Sequence, residues 1–353
     1  MNWALGFKSL GYRLIWLEGV EPDTTAKELT QHVLTLKSNL DVYGLADDVA
    51  LWQLDGNSLP LDKCANCLGV DEAAEVSDLL LNQCYKMPVS VVKKFQRTAL
   101  LDIDPGLLQM WLAKKDIQIA PHDFYFTIGE TVGGPDALFP DCGIDWQYTP
   151  PCVSLDWWPI AKPYQDASFT TITHWTMNEF MEDNGEVYTN DKRTAYQPFL
   201  ELPSYSPVSL ELAISLGKWD QEERLVLQSY GWHVCDSHAV ASTPGQYQQY
   251  IQQSLGEFSC VKPSCIRLQN AWISDRSLCY LASGKPVVVQ HTGKSKFLPD
   301  AAGLLRFHDL QGAVECIKQV NRDYYNHCAL ARALAEEYFD ANKVAAQLLE
   351  KVM

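Results

Sequence analysis

The sequence predicts an α/β protein of two units, each built on a parallel sheet. Continuous apolar runs such as Val287-Val288-Val289 suit strands buried on both faces. Such runs alternate with helical patterns along the chain, which is how a parallel sheet is written in sequence. A length of 353 residues fits two domains of ordinary size.

The elements follow in order. Residues 2–10 read as a helix stopped by Gly11, and 12–17 as a strand ending at Glu18. Residues 25–40 are helical, capped by Thr24 or Thr25. Residues 49–54 are strand-like, 73–86 helical, and 89–94 ambiguous. Residues 98–104 read as a strand, followed by Pro105 and a helix to Lys114; 124–128 form a strand ending at Gly129-Glu130. Proline and aromatic residues thicken between Tyr148 and Tyr164, which marks an interdomain segment. Residues 168–175 then open a second domain with a strand. A helical region at 209–229, a strand at 232–235 and an amphipathic helix at 244–255 follow, and a long final helix begins near Arg322.

Residues 256–307 carry the most chemistry. Ser274 and Asp275 are good N-caps, with Arg276 and Ser277 in the first turn. Leu278, Tyr280, Leu281 and Ala282 continue the helix, Gly284 suits its C′ position, and Pro286 prevents its continuation. A buried strand follows, and His291-Thr292-Gly293 turns out of its end. Free backbone N–H groups at the helix start, with Arg276 and the Ser277 hydroxyl, suit a diphosphate. An ordinary capped helix between two strands fits the same pattern.

These residues carry a family resemblance. Glu257 to Lys262, Ser274 to Ser277, and the Ala-x-Gly-x-Pro-Val-Val run of Ala282 to Val288 resemble the donor-binding half of a bacterial glycosyltransferase. The type is GT-B, two Rossmann-like domains with parallel sheets facing a cleft, similar to family 1/4-like glycosyltransferases. The match continues through Leu298-Pro299, residues 303–307 and the terminal helix, with an upstream counterpart at residues 140–146 and 155–159. It implies an acceptor-side domain at 1–160, a nucleotide-sugar domain at 161–325, and a helix at 326–353 crossing back to the first domain. Proteins of this type usually open with a strand and a glycine-rich turn. Here Met1 falls almost at the first helix, so that strand is expected to be missing or the sheet to differ.

The resemblance implies metal-independent transfer of a sugar from a nucleotide-diphosphate sugar to an unidentified acceptor, with no cofactor required. It assigns donor contacts to Glu257, Lys262, Ser274, Asp275, Arg276, Ser277, Thr292 and Gly293. Bland readings compete: a solvated Lys262, a surface Glu257, and Asp275 as a cap alone. The base, when there is one, comes from the first domain in such proteins. Candidates at strand ends are Asp102, Asp104, His122, Asp123 and Glu130, with His174 in the second domain. His122 reads first as a structural residue, and His174 equally as a core or hinge residue or a catalytic one. A nucleotide-sugar epimerase on the same architecture and a non-catalytic nucleotide-sugar binder are the alternatives.

Two metal patterns compete with this. Asp102-Ile103-Asp104 is a strand-end pair that suits a divalent cation, but equally a β-to-α turn. Cys64-x-x-Cys67 has metal-like spacing without a second pair. No metal is expected at either. Of the eleven cysteines several, including Cys235, Cys279 and Cys316, sit in apolar contexts and read as buried thiols. Trp146, Trp157, Trp158 and Trp175 suit either sugar platforms or interface packing. A net charge of −16 argues against nucleic acid and anionic lipid. There is no apolar run long enough for a membrane span and no signal-peptide pattern, so a cytoplasmic location is expected.

Overall fold

A computed structural model describes residues 1–57, 59, 66–177, 179–183, 185–217, 221–298, 300 and 302–353. Cys64 lies outside them, so the pairing of Cys64 with Cys67 does too. The chain divides into two compact units. One comprises Met1–Pro135, Phe139–Pro150 and Asn342–Met353; the other comprises Asp136–Leu138 and Pro151–Ala341.

The first unit holds two parallel sheets. One is ordered β1 (Trp16–Val20), β2 (Val49–Gln53), β3 (Leu68–Gly69). The other runs β4 (Leu80–Asn82), β5 (Thr98–Asp102), β6 (Phe124–Thr127), β7 (Trp146–Tyr148). β2 and β5 are apolar runs buried along almost their whole length, as centre strands require. Helix Asn2–Ser9 precedes the edge strand β1. Thr25 caps helix Ala26–Asp41 with a reciprocal box: Glu28 N–H donates to Thr25 Oγ1 at 3.3 Å, and Thr25 N–H donates to Glu28 Oε2 at 3.0 Å.

The helix expected at 73–86 is corrected here. Helix Val70–Val76 ends at Ser77, and Leu80–Asn82 becomes β4. A short leucine run carries no clear period, and pairing of β4 with β5 decides its state. The ambiguous stretch 89–94 contains the short helix Val89–Val92.

The second unit is a six-stranded parallel sheet with a hairpin attached. Its strands are β8 (Phe169–His174), the hairpin pair β9 (Phe180–Asp183) and β10 (Glu186–Thr189), and then β11 (Leu210–Ser215), β12 (His233–Asp236), β13 (Gly256–Ser259), β14 (Val287–Gln290) and β15 (Leu304–Phe307). The sheet order is β12-β11-β8-β13-β14-β15. Counted along the chain that is 3-2-1-4-5-6, the doubly wound dinucleotide-binding order, whose direction reverses between β8 and β13.

Apolar layers cover both faces of this sheet. On one, Phe199, Leu227, Val314 and Ile317 pack with Phe258 and Phe307, whose rings stack at 5.2 Å. On the other, helices Asp275–Ala282 and Tyr324–Tyr338 bury Leu278, Leu281, Ala331 and Ala335 against Val287 and Val289.

Two expectations change in this unit. Residues 210–215, expected as helix, are β11, paired with β8 over six residues, and a helix follows at Gln221–Ser229. Leu210, Leu212 and Ile214 alternate and are fully buried, which is a strand's period. The single helix expected from near Arg322 is instead two, Tyr324–Tyr338 and Ala341–Val352. It breaks at Phe339–Asp340 because the backbone there pairs with Val153: Val153 N–H donates to Phe339 O at 2.7 Å and Ala341 N–H to Val153 O at 3.0 Å.

Candidate functional site

The reversal point of the second sheet holds a buried ion pair. β8 and β13 pair at Phe169–Gly256 and Thr170–Glu257, and no register pair follows although β8 runs on to His174. The Arg276 side chain reaches into this gap from the first turn of helix Asp275–Ala282. One guanidinium nitrogen donates to Ile172 O on β8 at 2.9 Å. Its Nε meets Glu257 Oε1 at 2.7 Å, and another nitrogen donates to Ser259 Oγ at 2.8 Å, both on β13. Glu257 is fully buried and the Arg276 side chain 14% exposed. Such burial costs several kcal/mol per ion and stands only because the charges meet. Glu257 Oε2 has no hydrogen-bond partner among the described residues.

The local sequence explains the placement. Ser274 caps the helix, its Oγ accepting the Arg276 N–H at 3.3 Å. Gly284, at φ +68, occupies the left-handed position past its end. Ser277 is buried and its Oγ lacks a partner among the described residues. Arg276 and Ser277 line a cavity of about 10 Å³ with Ser259, Trp272, Ile273, Ser274 and Gln290. That volume fits one water and no phosphate, so a diphosphate has to sit at its rim.

Thr292 and Gly293 close the same edge from the end of β14. Thr292 Oγ1 donates to Trp272 O at 2.7 Å, and Thr292 O accepts the Ala271 N–H at 2.9 Å. Gly293 has φ +123, and a Cβ there would lie 2.6 Å from Gln269 O, so only glycine fits. Opposite it, Gln269 and Ala271 adopt φ +46 and +55, a strained geometry for residues with a Cβ.

Two further cations belong to this edge. Lys262 precedes helix Pro263–Leu268 and pairs with Glu179 at 2.7 Å. Lys192 follows the hairpin and donates to Cys260 O. Burial, then the charge of Arg276, pushes its pKa down to about 8. Asp275 is an exposed acid in the first turn of its helix, and His174 is exposed at the carboxyl end of β8.

The strand ends of the first unit divide sharply. At the carboxyl end of β5, Asp102 is fully buried and accepts four donors. These are Gln109 Nε2 at 2.9 Å, Thr127 Oγ1 at 2.8 Å, Tyr85 OH at 3.1 Å and the Asp104 N–H at 3.0 Å. Burial outweighs them and raises its pKa to about 6. Asp104 Oδ2 lies 3.2 Å from the same Tyr85 hydroxyl, which also accepts the Ile103 and Asp104 N–H groups. Glu130, after β6, is near enough to Tyr148 to add to the upward push that burial gives its phenol.

His122 and Asp123 instead precede β6, at the amino edge. Asp123 Oδ2 accepts the Thr98 N–H and hydroxyl at 2.8 and 2.9 Å. His122 Nδ1 faces Ala120 O at 2.7 Å and Nε2 faces the Asn82 amide at 3.1 Å. With both ring nitrogens engaged and burial lowering its pKa, His122 ties loop to strand. A parallel sheet binds ligands at its carboxyl edge. The geometry therefore favours Asp104, Glu130 and His174 over His122.

The tryptophans pack inside their own units. Trp146 meets Tyr125 at 5.7 Å, Trp158 meets Tyr247 at 5.9 Å and Trp175 meets Tyr196 at 5.5 Å. All three are buried, and Trp157 packs on a core cluster. Among the described residues no group of three or more His, Cys, Asp and Glu is placed to hold a metal ion.

Lys192 and Tyr85 were missed in the sequence. Asn190-Asp191-Lys192 is a capped helix start, Asp191 Oδ1 accepting the Thr194 N–H at 2.8 Å, and that signal was legible. Tyr85 had no signal, because only the fold brings it to Asp102.

The fold has known counterparts. HepE of Anabaena, crystallised with UDP, matches at a TM-score of 0.54 with 12% identity, over 96% of this chain and 99% of that one. The sucrose-phosphate synthase of Thermosynechococcus elongatus matches at 0.54 with 10% identity, over 96% and 98%. A glycosyltransferase of Rickettsia africae matches at 0.51 with 9% identity, over 97% and 98%. The GT-B resemblance is thus borne out as to fold. No protein-family model matches the chain, and no curated protein matches it in sequence.

Proposed function

We propose that this protein is a glycosyltransferase taking a sugar from a nucleotide-diphosphate sugar. The observation that carries this is the Arg276–Glu257 pair at the reversal point of a 3-2-1-4-5-6 sheet. That is where doubly wound sheets bind nucleotides, and a buried charge pair there is costly as scaffolding alone. The similarity to HepE, crystallised with UDP and with UDP-glucose, favours a uridine nucleotide.

In this reading the second unit is the donor domain and the first the acceptor domain. Lys192 and Lys262 neutralise the departing diphosphate beside the Thr292–Gly293 backbone, with the Arg276–Glu257 pair and Ser277 beneath its seat, and no metal is required. The acceptor oxygen attacks the anomeric carbon, the bond to the β-phosphate oxygen breaks, and the nucleoside diphosphate leaves. The acceptor proton passes to a carboxylate, for which Asp104 is our first candidate and Glu130 the second. Among the described residues no helix is long and apolar enough to cross a membrane, and we propose a cytoplasmic enzyme.

Calorimetry against UDP, GDP, dTDP, ADP and CDP in EDTA tests this. One nucleotide should bind, more weakly to Lys192→Ala and Lys262→Ala. Binding of none by the folded protein overturns the proposal. Product analysis with the donor sugar alone separates transfer and hydrolysis from epimerisation.

A further inference from the structure

Two histidines meet at the carboxyl ends of β14 and β15, their rings tilted by 34°. His291 follows Gln290 and His308 follows Phe307, the last register pair of the two strands. Their ring centroids are 4.4 Å apart. The His291 N–H donates to Phe307 O at 2.9 Å, which fixes its backbone. Its Nδ1 accepts the Gly293 N–H at 3.1 Å. An imidazole nitrogen accepts only without a proton, so this bond belongs to the neutral ring protonated on Nε2.

That bond closes a chain of contacts. Gly293 sits against Gln269 O, and Thr292 holds Ala271 and Trp272. Trp272 and Ile273 line the small cavity beside Arg276 and Ser277. The loop after β14 and the loop before helix Asp275–Ala282 are therefore held in one arrangement, anchored on the His291 ring. A positive charge on that ring faces His308 from the end of β15, and Arg306 within β15. Asp300 opposes them, but it is itself paired with Arg306. Lys294 is exposed on the ring's own loop.

We propose that neutral His291 is a positioning residue of the nucleotide-sugar site, and that its protonation releases Thr292 and Gly293 and weakens donor binding. This rests on the functional reading above. Burial, then His308, then Arg306 hold the His291 pKa below the ordinary imidazole value, so the release belongs to mildly acidic pH.

The test uses UDP-glucose as probe, because its diphosphate diester does not titrate in this range. Wild-type affinity should fall about fivefold from pH 7.5 to 5, the worth of one hydrogen bond. His291→Phe should be weakened by a similar factor at pH 7.5. His291→Asn should restore binding without the acid loss, since an Asn carbonyl accepts the N–H two residues on and does not titrate. Equal acid loss in wild type and His291→Asn overturns the proposal. Absence of UDP-glucose binding at pH 7.5 defeats the functional reading instead. The ¹⁵N-labelled Gly293 amide, followed without ligand, then decides: a shift titrating in wild type but not in His291→Asn supports the lock, and no difference overturns it.

Discussion

Each unit buries a carboxylate on a central strand, and the two are stabilised by opposite means. Glu257 in the second unit meets a guanidinium at 2.7 Å. Asp102 in the first is held by an amide, two hydroxyls and a backbone N–H, all neutral. A guanidinium stays charged at any accessible pH and meets its partner with a full opposite charge. Neutral donors leave the carboxyl open to titration, and Asp102 is pushed up to about 6.

The largest expected effect breaks the charge pair. Arg276→Met should destabilise the protein by about 3–5 kcal/mol, because it strands a buried carboxylate. The double variant with Glu257→Met should recover most of that loss in urea unfolding. Equal destabilisation by the single and double variants would show that the pair is not coupled.

Lys285 sharpens the comparison, as a buried charge with neither kind of support. It is fully buried two residues before β14, and its Nζ has no partner among the described residues. Burial lowers its pKa to about 8 from 10.5. The folded state thus binds this proton more weakly than the unfolded chain. Its penalty is complete below pH 8 and is relieved as pH rises toward 10.5. Lys285→Met should therefore stabilise by about 1–3 kcal/mol at pH 7, with the gain shrinking above pH 8. A gain independent of pH would point to packing instead.

Asp102 runs the other way. Its folded pKa of about 6 stands above the ordinary 3.8, so its contribution to stability is fully present below pH 3.8 and lost as pH rises through 6. Carboxyl ¹³C shifts should show it titrating near pH 6, and a midpoint below 4 would contradict this account. The smallest effect concerns strain: Ala271→Gly should stabilise by about 1 kcal/mol, since Ala271 sits at φ +55. A loss would mean that the loop gains more from the methyl than it pays in backbone geometry.

The sequence made some of this legible and hid the rest for physical reasons. The run from Ser274 through Gly284 to Val289 announced helix, stop and strand, because caps, glycine and β-branching are local signals. Residues 210–215 misled because a six-residue apolar stretch fits two periods until its neighbour strand is known. Arg276 was found, but not its direction. It turns inward to Glu257, nineteen positions away in sequence, and not outward to solvent. His122 stood near a strand, and only the sheet's polarity showed that it lies at the amino edge.

The most direct test of the central claim is proton uptake on nucleotide binding. A diphosphate beside Lys192 should raise its pKa from about 8, so UDP binding at pH 8.5 should take up protons. Calorimetry in buffers of different ionisation enthalpy measures this. We predict uptake by the wild type that vanishes in Lys192→Met. Binding with no uptake, or uptake unchanged in Lys192→Met, would place the diphosphate elsewhere and contradict the account.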